Sequence, residues 1–240
     1  MAPQQEQHDD DERPVVLFVH GMYGSHLVDT ASHNKLLWIS PWTVLKSIFK
    51  GNKGHTQVAA PLTWSQDGLH QDQDSIKPES IVTQFTKTFS DWTQTLQDNH
   101  QAQVLNFLWD WRRPLEESTS KLLEYLDQQG LVGTKRRRRR RVVIVSYSTG
   151  SLLAWVAINK YPQTFQGWVS VGAAMGCGNF MLHDFAEGWS VGAGIQLLDP
   201  ETILSCPSIF SFFSSGTRAR IQRRNIQHGK PYRGSLGGHA

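Results

Sequence analysis

A serine hydroxyl becomes a nucleophile only when a fold exposes it, a base takes its proton and donors receive the oxyanion it creates. The stretch Ser146-Tyr147-Ser148-Thr149-Gly150 has the residue types for two of those needs. It follows a β-branched run, Val142 to Val145, and precedes an apolar stretch, Leu152 to Ile158, with helical spacing. A sharp strand-to-helix turn at such a junction lifts the central serine out of the sheet. It also points the next residue's N–H at the reaction centre. Such a turn needs small residues two before and two after the serine, and Ser146 and Gly150 are small. Ser148 is therefore the candidate nucleophile, and the Thr149 N–H a candidate oxyanion donor. The alternative is a plain strand-to-helix turn with capping serines. A second donor comes from the loop after an earlier strand in this arrangement. "VHGMYGS" (19–25) is such a loop, rich in glycine, and the Met22 N–H is the candidate. An ordinary glycine turn is the alternative there.

The elements that must position these groups are legible as patterns. "PVVLFVHG" (14–21) is a short unbroken apolar run ending in glycine, the form of a buried parallel strand. "QVLNFLWDW" (103–111), "RVVIVSYS" (141–148) and "GWVSVGAA" (167–174) read as further strands. Ile81, Phe85, Phe89, Trp92 and Leu96 recur at steps of three and four and predict an amphipathic helix. Leu115, Leu122, Leu123 and Leu126 predict a second helix, and 151–160 a third. Ser40, Pro41 and Gly51 carry start and stop signals for a helix between them, and 52–78 reads as loop. Strands alternating with helices imply an α/β fold with a parallel sheet and right-handed crossovers. The working residues of such sheets gather beyond the carboxyl ends of the strands, where Ser148 falls.

Composition bounds the rest. The 240 residues suffice for one domain, and the apolar content is that of an ordinary folded core. The net charge of +3 is produced by one run, Lys135 to Arg141, without which the chain is mildly acidic. Overall basicity is thus no argument for a nucleic-acid partner, and none is expected. The run itself fits a solvated loop insertion at the end of the sheet opposite Ser148. A localisation signal or a patch for anionic lipid heads is the other reading. Cys177 and Cys206 match no metal or redox spacing; two buried free thiols are the favoured reading over one disulfide. No metal or cofactor is expected. Residues 1–13 and 217–240 read as an acidic and a basic disordered tail. No apolar leader or membrane-length run is visible, so a cytoplasmic or membrane-peripheral placement is expected.

Several motifs together resemble the lecithin:cholesterol acyltransferase family, a branch of the α/β-hydrolases that includes phospholipases A and phospholipid:diacylglycerol acyltransferases. The resemblance runs from about Pro14 to Phe213. Gly21, Gly24, Ser25 and Leu27 match its Pro-Gly-x-x-Gly-Ser-x-Leu loop, with His20 in place of Pro. Asp110, Trp111 and Arg112 match its Tyr-Asp-Trp-Arg signature, with Trp109 in place of Tyr. "SYSTGS" resembles its His-Ser-x-Gly-Gly elbow, with Tyr147 in place of His. Pro207 and Ser208 match a later segment, with Phe212 and Phe213 for leucines, and Ala174 stands where the family has Pro. From the residues alone, Asp110 and Arg112 form a local ion pair that fixes the loop beside the site, with a weak surface pair as the alternative.

The resemblance implies an α/β-hydrolase-like, mostly parallel sheet with helices on both faces, spanning 14–216, with a lid-like segment over about 175–216. It implies attack by Ser148 on a glycerophospholipid ester at a membrane surface. The acyl group would then pass to a sterol, to diacylglycerol or to water. Trp38, Trp42 and Trp64 would lie near the lipid interface, with core packing the equal alternative. The triad order of this fold is serine, acid, histidine. His20 precedes Ser148 and is read as structural. No acid or histidine after Ser148 has a visible strand to stand on: Asp184, Asp199 and Glu201 fall in the lid-like segment, and His183, His228 and His239 follow no strand. The expectation is an incomplete acyl-ester enzyme, C-terminally truncated. An inactive fragment or a generic α/β-hydrolase esterase is the alternative.

Overall fold

The computed structural model describes residues 13–40, 45, 75–99, 101–132, 142–176, 178–191 and 195–213. Its centre is a four-stranded parallel sheet. The strands are β1 (Val15–Val19), β5 (Gln103–Phe107), β6 (Val142–Tyr147) and β7 (Phe165–Val171), in the order β5-β1-β6-β7. A second, antiparallel sheet joins β2 (Ser25–Asp29), β3 (Lys35–Trp38) and β4 (Ile76–Ile81), with β2 in the middle. The main helices are α1 (Thr83–Asp98), α2 (Leu115–Gln128) and α3 (Gly150–Lys160). After β7 come α4 (Met181–Glu187), a hairpin of β8 (Trp189–Val191) and β9 (Ile195–Leu198), then α5 (Pro200–Leu204) and α6 (Pro207–Phe210).

The period-two alternation of β1 accounts for the layering. Val15, Leu17 and Val19 face one side with Val142 and Ile144, covered by Leu122 and Leu126 of α2 and Leu153 and Ala157 of α3. Val16 and Phe18 face the other side with Val104 and Val145, covered by Phe89 and Leu96 of α1. Helices therefore cover both faces of the sheet. Complete burial of each Val, Leu or Ile stabilises the fold by about 1.5–3 kcal/mol. Val19 sits opposite both Phe107 and Ser146, so β1, β5 and β6 end at one level. The loops that follow them gather at that end.

The structure revises several boundaries. The strand expected over 103–111 ends at Phe107, because Asp110 and Arg112 close a turn instead. The strand expected over 167–174 runs from Phe165 to Val171, beyond which Gly172 has a positive φ of 57°. Ile81 belongs to β4, and α1 begins at Thr83. The hairpin β8–β9 adds strands after Ser148 that the pattern did not show, although they do not join the parallel sheet. Of the helix expected over 41–50 only Leu45 is described, and it is helical; Trp42, Trp64, Cys177, the Lys135–Arg141 run, His228, His239, residues 1–12 of the first tail and all of the second lie outside the described residues. No helix among the described residues is long and apolar enough to cross a membrane.

Candidate active site

Ser148 follows β6 directly, precedes α3, and has a positive φ of 51°. That left-handed conformation costs a side-chain-bearing residue about 1–2 kcal/mol, so the surroundings must impose it. The Ser148 N–H donates to the Val171 carbonyl at 2.9 Å, and the Ser151 N–H donates back to the Ser148 carbonyl at 3.0 Å. Gly150 begins α3 against the end of β1, where any Cβ would collide with the carbonyl oxygens of Val19 and His20. A Cβ on Gly21 would lie 2.8 Å from the Ser148 Cβ, so the loop after β1 runs directly beside the serine. Ser146, expected only to be small, also works as a linker. It accepts from the Trp168 indole at 2.7 Å and lies 3.0 Å from the Ser151 hydroxyl, which accepts from Ser170 at 2.9 Å. This chain, buried at Ser146 and Ser151, ties β6, α3 and β7 together beneath the turn.

The loop 20–25 is held by three indoles. Trp109 donates to the His20 carbonyl at 2.9 Å, Trp38 to that of Tyr23 at 3.0 Å, and Trp111 to that of Ser25 at 3.4 Å. The Ser25 hydroxyl returns a bond to the Trp109 carbonyl at 2.8 Å. Tyr23 takes a positive φ of 64° in this loop, its ring packed among Trp38, Trp111 and Trp189. Trp38 is wholly buried in this cluster, so the core-packing reading holds for it and the lipid-interface reading does not. His20 is fully buried. Its Nδ1–H donates to the Gly21 carbonyl at 2.8 Å, and its Nε2 accepts from the Trp109 N–H at 3.3 Å. That pair of bonds requires a neutral ring, and burial holds its pKa down at about 4. His20 is a brace for the loop.

Asp110, Trp111 and Arg112 form the next layer behind the loop and do not line the cavity. Arg112 grips Asp110 with two bonds, Nε to Oδ1 at 2.9 Å and a terminal nitrogen to Oδ2 at 2.6 Å. Both residues are buried, so this is no surface pair. Trp111 is wholly buried, and its carbonyl accepts from the Ser208 hydroxyl, which brings α6 against this layer. The Cys206 thiol beside it is buried, donates to the Thr202 carbonyl at 3.3 Å, and is pushed up to about 12 by desolvation, which makes it inert.

These elements enclose a cavity of about 400 Å³ lined by Met22, Tyr23, Tyr147, Ser148, Thr149, Gly172, Ala173, Ala174, Met181, Asp184, Trp189 and Phe212. The three sequence candidates Ser148, Met22 and Thr149 thus share one cavity, with Gly21 and Gly150 packed at its rim. Neither the Met22 nor the Thr149 N–H donates to a partner among the described residues, so both are free for an oxyanion. No histidine lines the cavity among those residues. The walls that sequence reasoning missed are Tyr23, Trp189 and Asp184. Tyr23 is visible as an aromatic two residues after Gly21. Trp189 and Asp184 have no sequence signal, because only the fold-back after β7 brings them in. Burial raises the Asp184 pKa, an effect opposed by the neighbouring His183.

No family model matches the chain, and no curated protein matches it. Solved structures do match. One of them, a chain of the Tle4-Tli4 complex, is 13% identical with a TM-score of 0.52. The match covers 83% of this chain and 54% of that one, so the chain spans about half the length of that structure's chain. The resemblance to the lecithin:cholesterol acyltransferase family is therefore overturned: a chain with its motifs would match its family model, and none matches. The physical reason is visible in the motifs. Gly21, Gly150 and the small residues around Ser148 are what any such elbow needs, whatever the family. The departures, His20 and Trp109, bond to one another here and so belong to a different solution for bracing the loop. What the comparison does establish is architecture, and the chain has an α/β-hydrolase-like fold, a parallel sheet with helices on both faces.

Proposed function

We propose that Ser148 is the nucleophile of an acyl-ester hydrolase, acting on lipid-like esters through an acyl-serine intermediate. The observation that carries this reading is the backbone of Ser148. A non-glycine residue with φ of 51° stands between a strand and a helix, its cavity shared with two free backbone N–H groups. Strain of that kind is retained where the surroundings over-determine it, commonly at reactive groups. The Ser148 Oγ attacks the ester carbonyl carbon, and the oxyanion forms between the Met22 and Thr149 N–H groups. The bond to the alcohol oxygen then breaks, and the alcohol leaves with the proton the serine gave up. Water attacks the acyl-serine, releasing the acid and restoring the hydroxyl. The proton acceptor in this reading is no imidazole of the described residues, since none lines the cavity.

Two features support an apolar, surface-presented ester. The cavity is lined largely by Met22, Met181, Trp189, Phe212 and small residues. Met175, Leu182, Phe210 and Phe213 are exposed on the same segment, 175–213, that supplies its outer wall. Glycerophospholipid in a bilayer or micelle is the first substrate to test, with water as acceptor. Sterol and diacylglycerol acceptors rested on the overturned resemblance alone. The test is turnover of a short-chain phosphatidylcholine and of a neutral short-chain ester by the chain and by Ser148→Ala. The proposal expects the variant to lose at least about 10³-fold in kcat. Turnover that survives the substitution would assign the reaction to another residue.

A further inference from the structure

The cavity beside Ser148 contains one formally charged side chain among the described residues, the carboxylate of Asp184. Asp184 on α4 is nine-tenths buried as a whole residue, its carboxylate oxygens keep some access to the open space, and no described residue gives them a hydrogen bond or ion pair. Among the described residues, no lysine, arginine or histidine lines the cavity with it. His183, its neighbour in the chain, is exposed, acts on Asp184 only through charge, and is not part of the cavity wall. Buried carboxylates are ordinarily paired or hydrogen-bonded, because an isolated one is costly. Four aromatic residues, Tyr23, Tyr147, Trp189 and Phe212, line the same space. The Tyr23 hydroxyl is buried without a partner among the described residues. A carboxylate among aromatic rings is a setting for an organic cation, which gains from the charge and from the ring faces alike.

We propose that Asp184 and these rings form a subsite for an ammonium group on the alcohol side of the ester. The position of the ester itself rests on the reading of Ser148 as nucleophile; the cation site does not. An ammonium placed there neutralises the one charge in the wall, whereas an anionic group at the same place is repelled by it. Selection between esters of similar shape then follows the charge of the alcohol.

The test compares butyrylcholine with its uncharged isostere, 3,3-dimethylbutyl butanoate, binding by calorimetry to the Ser148→Ala chain, in which neither can be cleaved. The cation is expected to bind about tenfold tighter than the isostere, the range of a charge-assisted contact. Adding Asp184→Asn is expected to bring the two within about twofold by weakening only the cation. Equal binding of the two esters with Asp184 intact, or a preference that Asp184→Asn leaves unchanged, would overturn the subsite. A second measurement needs no variant. Millimolar choline is expected to slow fluorophosphonate labelling of Ser148 in the unaltered chain, while 3,3-dimethylbutanol does not; equal protection by both would count against the proposal. Loss of the nucleophile reading would appear as absent labelling with the calorimetric preference intact, so the two failures are distinguishable.

Discussion

The two walls of the Ser148 cavity are built on different principles. The inner wall, the loop 20–25 and the turn from β6 to α3, is fixed by three indole N–H bonds, the neutral His20 brace and the buried Asp110–Arg112 pair. The outer wall, the segment after β7, contributes Met181, Asp184, Trp189 and Phe212, with apolar neighbours such as Leu182 left 55% exposed. Its hairpin β8–β9 makes no part of the main sheet. The difference separates two tasks. Groups that must meet a developing oxyanion need rigid placement, and the Met22 and Thr149 N–H groups proposed for that role stand on the wall with the deepest packing. The groups proposed to choose a ligand stand on the wall expected to give up least stability when changed.

Substitutions sharpen that contrast. The largest loss is expected from Asp110→Asn, which strips the buried Arg112 of its counter-charge and costs about 3–5 kcal/mol in denaturant unfolding. Gly150→Ala should follow, at roughly 1–3 kcal/mol or more, because its methyl meets the Val19 and His20 carbonyls. A comparable loss from Leu182→Ser on the outer wall would erase the distinction between the walls.

His20 gives the inner wall a pH signature. Its pKa of about 4 in the folded chain lies below the ordinary 6.5, so between those values the unfolded chain binds a proton that the folded chain does not. The neutral-ring contribution is complete above pH 6.5 and is lost as pH falls toward 4, by up to about 3 kcal/mol at 1.36 kcal/mol per unit. His20→Gln should flatten the rise of stability over that window; an unchanged slope would mean the ring is not buried neutral. Trp38→Phe removes the indole bond to the Tyr23 carbonyl and leaves a void in the aromatic cluster, and should cost about 2–3 kcal/mol. The smallest effect is expected from Leu182→Ser, within about 0.5 kcal/mol in stability, while reducing binding to phosphatidylcholine vesicles in a sedimentation assay.

The same division explains what the sequence disclosed. Unbroken β-branched runs such as Val142 to Val145 and helical spacings such as Leu122 to Leu126 are local signals, and they placed the parallel sheet, its covering helices and Ser148. The sheet of β2, β3 and β4 was hidden because "IKPESI" (76–81) carries a proline with three polar or charged residues around it. Its pairing with 25–29 is a tertiary event, not a local preference. Ser146 read as a small residue, since the Trp168 and Ser151 partners that give its hydroxyl a role come from other elements. Asp184 was visible only as an acid in a segment without strands. Its place in the cavity depends on how the chain folds back after β7.

The central claim is that the turn after β6 makes one hydroxyl of this chain a nucleophile. The most direct measurement is covalent: treat the folded chain with a fluorophosphonate, digest it, and locate the adduct by mass spectrometry. Modification of Ser148 that disappears on prior unfolding is the predicted result. A folded chain in which Ser148 stays unmodified, or in which the adduct lies on Ser146 or Ser151 instead, would contradict it.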